Sequence, residues 1–329
     1  MMENELRCRI CENVAGNRLH PAREMMFGTR EEFDYVECAH CGTVQIAAIP
    51  DLTRHYPKEY YSLSDQMPEV DKAFKRRVAA RFIGHYVVTG KNRLGRFLNK
   101  KRPLIRTLLP PSILDPLAAV RFDSRILDIG CGSGSLLRTL RTFGFRNLTG
   151  ADPFIEKSFS IDRNVRIVKA STNELSGEYD LIMLHHSFEH LPDPGAALSD
   201  LSGLLSSSGN LLIRIPLVNW AWQQYGTNWV QLDPPRHLHL FTERSFRLLA
   251  ERLELQVVKV VYDSDAFQFY GSEQYKMDIP MNDERSFRGV SENSIFSQQQ
   301  IDEWNRLAAE LNEKGLGDQA CFYLKRKQY

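Results

Sequence analysis

From residue 124 onward, short apolar runs and amphipathic stretches take turns along the chain. The runs at 125–129, 147–151, 165–169, 179–184, 210–215, 255–262 and 319–325 have strand length, and the stretches between them carry helical spacing. Strands alternating with helices call for an α/β fold with a doubly wound, mostly parallel sheet, here of seven strands. An insertion of about 55 residues separates the last two. Inside it Ser297 and Gln300 make a capping box, and Ile301, Trp304, Leu307, Ala308 and Leu311 share one face of the helix that follows. Thr242 caps another helix, Glu243 to Leu253. Upstream of the sheet, Phe74, Val78, Phe82 and Tyr86 recur every fourth residue among Lys75, Arg76, Arg77 and Arg81, the pattern of a basic amphipathic helix.

The first strand of the alternating region runs into Asp128-Ile-Gly130-Cys-Gly132-Ser-Gly134 and then a helix. Glycines let the backbone turn sharply here and approach a ligand, while the helix aims its free N–H groups at the turn. Dinucleotide sites place the third glycine at the sixth position of G-x-G-x-x-G; Ser135 stands there, which argues against a nicotinamide oxidoreductase. The second strand ends in Asp152, 24 residues after Asp128, placed to accept hydrogen bonds from both ribose hydroxyls. An acidic residue followed by G-x-G-x-G resembles the first motif of the class I S-adenosylmethionine (SAM) methyltransferases. That resemblance implies a Rossmann-like sheet whose last strand runs antiparallel, and a SAM site made by Asp128, Gly130, Gly132, Gly134, Asp152, Pro153, Ser171 and His185.

Composition adds a constraint at each end. With 329 residues there is room for one large domain and a small one, and no apolar run is long enough to span a membrane. The polar N-terminus Met-Met-Glu-Asn-Glu lacks a secretory signal, so a cytoplasmic location is expected. A net charge of +1 conceals an asymmetry: residues 72–106 hold 12 Lys or Arg and no acid, leaving 30 basic against 41 acidic residues elsewhere. Such a segment suits an anionic membrane surface or a phosphorylated substrate. Cys8-x-x-Cys11 and Cys38-x-x-Cys41, 26 residues apart, form two knuckles suited to a tetrahedral structural zinc. A segment of about 40 residues needs such a staple.

Two further stretches carry candidate chemistry. The strand 179–184 runs into His185-His186-Ser-Phe-Glu189-His190, at the carboxyl edge where ligands sit in doubly wound sheets. The loop after the next strand holds Trp220, Trp222, Tyr225, Trp229, Arg236, His237 and His239. Trp220, Trp222, Tyr225, Trp229 and Arg236, with Tyr60 and Tyr61 of an aromatic connector, are expected to line the acceptor pocket. His186, Glu189, His190, His237 and His239 are expected to converge as general base or as ligands of a second divalent metal. The set is similar to the E-x-x-E-H plus later His pattern of small-RNA 2′-O-methyltransferases and to a carboxylate–His site in ubiquinone-pathway O-methyltransferases, with His186 where the former carry Glu. A four-cysteine module before a methyltransferase also resembles the deoxysugar C-methyltransferases.

The expected organisation is therefore a zinc ribbon (1–50), an aromatic connector with a basic helical segment (51–110) and a SAM-dependent methyltransferase domain (111–329). The expected reaction is methyl transfer to a hydroxyl of a sugar or glycan intermediate, or of another small polyhydroxylated or aromatic acceptor. The rival reading is a non-catalytic SAM-binding and zinc-ribbon module that recruits a protein or nucleic acid.

Overall fold

A computed structural model describes residues 6–56, 74–101, 120–287, 289 and 294–327, which resolve into two compact units. The first gathers the N-terminal 56 residues, 188–195 and 214–321; the second gathers 57–187, 196–213 and the C-terminal residues from 322. This partition differs from a division at residues 50 and 110, because the cysteine-bearing segment does not close on itself.

In chain order the first unit opens with β1 (Arg18–Arg23), β2 (Glu32–Glu37) and β3 (Val44–Ile46). They form an antiparallel sheet that is completed by a strand nearly 200 residues later, as described below. The second unit begins with α1 (Phe74–Thr89) and α2 (Arg93–Lys101), then β4 (Arg125–Ile129), α3 (Ser135–Phe143), β5 (Asn147–Ala151), β6 (Phe159–Asp162), β7 (Val165–Val168) and β8 (Tyr179–His185). Next come α4 (Pro194–Leu204) and β9 (Leu205–Pro216), then α5 (Trp220–Tyr225), β10 (His239–Leu240), α6 (Glu243–Arg252), β11 (Leu255–Tyr262), α7 (Phe267–Lys276), α8 (Gln298–Glu313) and β12 (Gln319–Arg326).

The large sheet has eight strands in the order β11-β12-β9-β8-β4-β5-β7-β6. β4 pairs in parallel with β5 and β8, and β5 with β7. The last strand of the chain lies between β9 and β11, the topology of the class I methyltransferase fold. Seven strands follow the sequence pattern, and the eighth, β6, is an antiparallel edge strand against β7. The central strands are continuously apolar because they are covered on both faces: Ile126, Leu127, Leu181, Ile182, Met183 and Leu184 are buried.

The small sheet is ordered β1-β2-β3-β10. β10 supplies its fourth strand, with His239 opposite Gln45 and Leu240 opposite Val44. Its core joins Tyr35, Val44 and Ile46 to Trp222, Trp229, Leu238 and Leu240. The insertion folds onto the same unit. Ser297 caps α8 with Gln300 as the capping box foretells, and Trp304 stacks on Phe269 of α7 with ring centroids 6.2 Å apart. Among the described residues, no helix is long and apolar enough to cross a membrane.

Candidate active site and metal centre

The glycine turn is built as its spacing demands. Gly130, Gly132 and Gly134 all take positive φ, at 72°, 52° and 79°, where a side chain is strained. Two of them also answer to packing inside the fold: a Cβ on Gly130 would lie 2.5 Å from the Ser187 Cβ, and one on Gly134 2.8 Å from Ile167. Gly134 is the N-cap of α3 and offers no side chain to it, so no side chain of the N-cap residue satisfies the N–H groups of that helix's first turn.

Two carboxylates sit at adjoining strand ends. Asp152 accepts the Gly132 amide at 3.0 Å and the Phe154 amide at 2.8 Å, which ties the ends of β4 and β5 together. Asp128 is buried, and burial first, the neighbouring Asp152 charge second, push its carboxyl up to about 8. An uncompensated acid pair of this kind gains when a cation arrives. Pro153 and Phe154 beyond it are exposed, and Phe154, an exposed ring beside Asp152, was not singled out by its spacing. Ser171 starts the turn Thr172–Glu174 and is closed on it: its hydroxyl and its amide both donate to Glu174, at 2.6 Å and 2.8 Å, and its carbonyl accepts the Glu174 amide at 3.2 Å, so the turn uses the groups expected to meet SAM. His185 closes β8 and is half-buried.

The second cluster lies in the other unit. Glu189, His190 and His237 bring one donor atom each within 4.8 Å of one another. His190 Nδ1 lies 2.8 Å from the Arg236 carbonyl, and His237 Nδ1 lies 2.7 Å from the Gln231 carbonyl. A carbonyl can only accept, so both imidazoles carry their proton on Nδ1 and present the Nε2 lone pair. His237 Nε2 stands 3.9 Å from Glu189 Oε1 and 3.9 Å from Asp233 Oδ2. The Tyr56 hydroxyl is 3.0 Å from His190 Nδ1, a partner that no motif announced. Burial, and then the nearby His237, lower the His190 pKa.

The third cluster is the cysteine set. Cys8 and Cys41 Sγ are 3.6 Å apart and Cys11 and Cys38 Sγ 3.4 Å, and all four lie within 4.8 Å of one another. Four thiolates at about 2.3 Å from a tetrahedral ion stand roughly 3.8 Å apart, so the donors fit zinc. Each knuckle turns back through a positive-φ residue directly after its second cysteine, Glu12 in one and Gly42 in the other.

A family model described as a methyltransferase domain matches residues 85–260, just over half of the chain. The chain belongs to that family. Among methyltransferases named for their reaction, it is 26% identical over 132 residues to a ubiquinone biosynthesis O-methyltransferase of Erwinia tasmaniensis, covering 36% of this chain and 54% of the relative. It is 28% identical over 153 residues to one of Xanthomonas oryzae, covering 41% and 63%. The chain thus spans less than two thirds of the length of these relatives. Similar solved structures include a SAM-dependent methyltransferase from Archaeoglobus fulgidus (TM-score 0.38, 19% identity, 62% of this chain and 86% of that one). Another is a SAM-dependent methyltransferase from Thermotoga maritima (TM-score 0.41, 18% identity, 70% and 97%).

Several residues of this methyltransferase-family chain stand elsewhere than their spacing suggests. His239 is not in the cluster with His190 and His237: it is a wholly buried residue of β10, and burial, with the Arg9 charge second, drops its pKa to about 3. His186 also lies outside that group, at a left-handed φ of 49° just after β8. The tryptophan stretch is not a loop of stacking surfaces. Trp220, Trp222 and Tyr225 lie on α5, and Trp222, Tyr225 and Trp229 are buried. The indoles of Trp222 and Trp229 donate to Glu37 at 3.2 Å and Asp318 at 2.9 Å, which is how a buried indole is satisfied. Trp220 is half-buried, against Phe269. Arg236 is wholly buried among Glu24 and Asp233, so it anchors a loop and is closed to substrate. Tyr60 and Tyr61 lie outside the described residues.

Proposed function

We propose that this chain is a SAM-dependent O-methyltransferase acting on the acidic hydroxyl of a small aromatic or quinol acceptor. The observation that carries the chemistry is the pair of imidazoles at His190 and His237, both fixed in the tautomer that exposes Nε2. An imidazole of lowered basicity shares the proton of a phenolic hydroxyl, ordinarily near 10, far more readily than that of a sugar alcohol. The burial of Trp222, Tyr225 and Trp229 removes a stacking surface open to a sugar and to an aromatic ring alike, so the choice of acceptor rests on the imidazoles. The names of the relatives in sequence lean the same way.

SAM supplies an electrophilic methyl group on a sulfonium. The residues of this chain that fit it are the Asp128 and Asp152 carboxylates and the first turn of α3: burial and the Asp152 charge disfavour the ionised Asp128, a cost that a cationic ligand offsets. His190 or His237 accepts the acceptor proton at Nε2, a role worth about 10²–10⁴ in rate. Glu189 stabilises the imidazolium that results. The same two imidazoles and carboxylate also form a donor set for zinc, iron or cobalt, so chelation separates base from metal catalysis. Cys8, Cys11, Cys38 and Cys41 hold a structural zinc, whose closed sulfur shell leaves no position for substrate.

Titration calorimetry with SAM and with NAD tests the cofactor, and SAM turnover against catechols, quinols and nucleotide sugars tests the acceptor. NAD binding without SAM binding, or turnover confined to sugars, overturns the corresponding half of the proposal.

A further inference from the structure

The apolar stripe of α1 is turned away from the protein: Phe74 is 72% exposed and Val78 and Phe82 about 40%. The helix instead packs through Ala80, Ile83 and Gly84. Gly84 lies against the Phe143 backbone of α3 and Gly95 of α2 against the Phe82 carbonyl, so closely that a Cβ at either would collide. These two contacts fix the hairpin with its larger side chains outward.

On α2, Leu94 and Phe97 are about half exposed as well. Of twelve large hydrophobics exposed among the described residues, five lie in this one hairpin; scattered singly they would mean nothing, but gathered they mark a surface that meets something. The cations interleaved with them, Lys75, Arg77, Arg81, Arg93, Arg96 and Lys100, are exposed, and the hairpin contains no acidic residue.

A groove of about 410 Å³ beside α1 repeats the combination. Arg77, Arg81, Arg138 and Arg141 ring an apolar floor of Phe74, Val78 and Ile161, and its acid, Asp162, is held by Arg141 at 2.7 Å. Guanidiniums over apolar walls match a phosphate carried on a hydrocarbon stem.

We propose that the α1–α2 hairpin docks the protein on an anionic lipid surface. Phe74, Phe82, Leu94 and Phe97 enter the boundary between headgroups and acyl chains while the flanking lysines and arginines meet the phosphates. The inference stands apart from the methyl-transfer chemistry. A nucleic acid would satisfy the cations and leave the exposed phenylalanines in water, so the lipid surface fits both kinds of side chain that the hairpin exposes.

The full chain is sedimented with vesicles of phosphatidylcholine alone and of phosphatidylcholine mixed with phosphatidylglycerol. Binding to the mixed vesicles only, weakened by salt, is expected. The pair Phe74→Ser/Phe97→Ser and the pair Arg77→Glu/Arg81→Glu should each lower partitioning about tenfold or more, with circular dichroism unchanged because these side chains are exposed. Equal affinity for neutral vesicles, no vesicle binding, or full binding by the phenylalanine variant overturns the proposal. So does an oligonucleotide that displaces the vesicles and depends on the arginines alone.

Discussion

Glu24 and Arg236, 212 residues apart in the chain, meet at 3.0 Å with neither side chain exposed to water. The Glu24 carboxylate also accepts the amides of Met26, Phe27 and Thr29, so it folds the β1–β2 loop around itself. The guanidinium continues to Asp233 at 2.9 Å through Nε and lies over the Phe27 ring at 5.0 Å. His237 is the very next residue, and the Arg236 carbonyl orients His190. The buried ion network therefore holds the loop that positions both imidazoles.

Removing one partner of a buried pair strands the other. Arg236→Met is expected to cost about 3–5 kcal/mol in urea denaturation, and Arg236→Lys should recover little because one ammonium cannot make the forked contacts. A loss below about 1 kcal/mol would show that the network is not holding the fold.

Asp128 gives a pH dependence with a definite sign. Its folded value, about 8, lies above the ordinary 3.8, so the ligand-free protein loses stability as pH rises from about 4 to about 8 and holds level above that. Asp128→Asn removes the charge and should flatten this slope, gaining roughly 1–3 kcal/mol at pH 8 while abolishing SAM binding. Thermal melts across that range, with calorimetry at one pH, check both halves. A variant that keeps its slope places the titration elsewhere.

The glycine turn and its two acids were legible because a local motif dictates them: φ, strand end and spacing all fall within 30 residues. The strands were legible because doubly covered strands are apolar without interruption. What escaped depends on partners far along the chain. The tryptophans read as pocket-lining rings because nothing local reveals that Glu37 and Asp318 satisfy the indoles of Trp222 and Trp229. His239 read as a ligand because nothing local reveals that β3 needs a fourth strand. β6, Phe-Ser-Ile-Asp, alternates with exposed polar residues and is too short to register as an element.

Sharing a sheet with β10 changes what the cysteines should do. Spacing alone predicts a zinc module whose loss spares the remaining chain. With His239 paired to Gln45 and Thr242 Oγ1 donating to the Cys41 carbonyl at 2.8 Å, losing the ion should loosen 233–242 as well. Cys38→Ser is expected to release about one equivalent of zinc and to raise hydrogen exchange in both 32–46 and 233–242. Exchange confined to the N-terminal segment would restore the autonomous module, and full metal content in the quadruple cysteine variant would remove the zinc site.

His190, His237 and His239 separate a working base from a folded one. His190 and His237 present Nε2 beside Glu189, whereas His239 is enclosed in β10 with its ring toward Phe241. His190→Ala and His237→Ala should therefore lower kcat by roughly 10²-fold or more with SAM affinity nearly unchanged. His239→Ala should act through stability, lowering the melting midpoint while the folded fraction turns over normally. Because the His190 pKa is lowered, the neutral, proton-accepting imidazole persists below the usual imidazole range. The acidic limb of kcat against pH should accordingly fall below about 6.5 if His190 is the base. A chelator-sensitive rate restored by a divalent ion assigns Glu189, His190 and His237 to a metal. Wild-type turnover in His190→Ala and His237→Ala together would leave the cluster only the task of joining Phe188–His190 to the 233–237 loop.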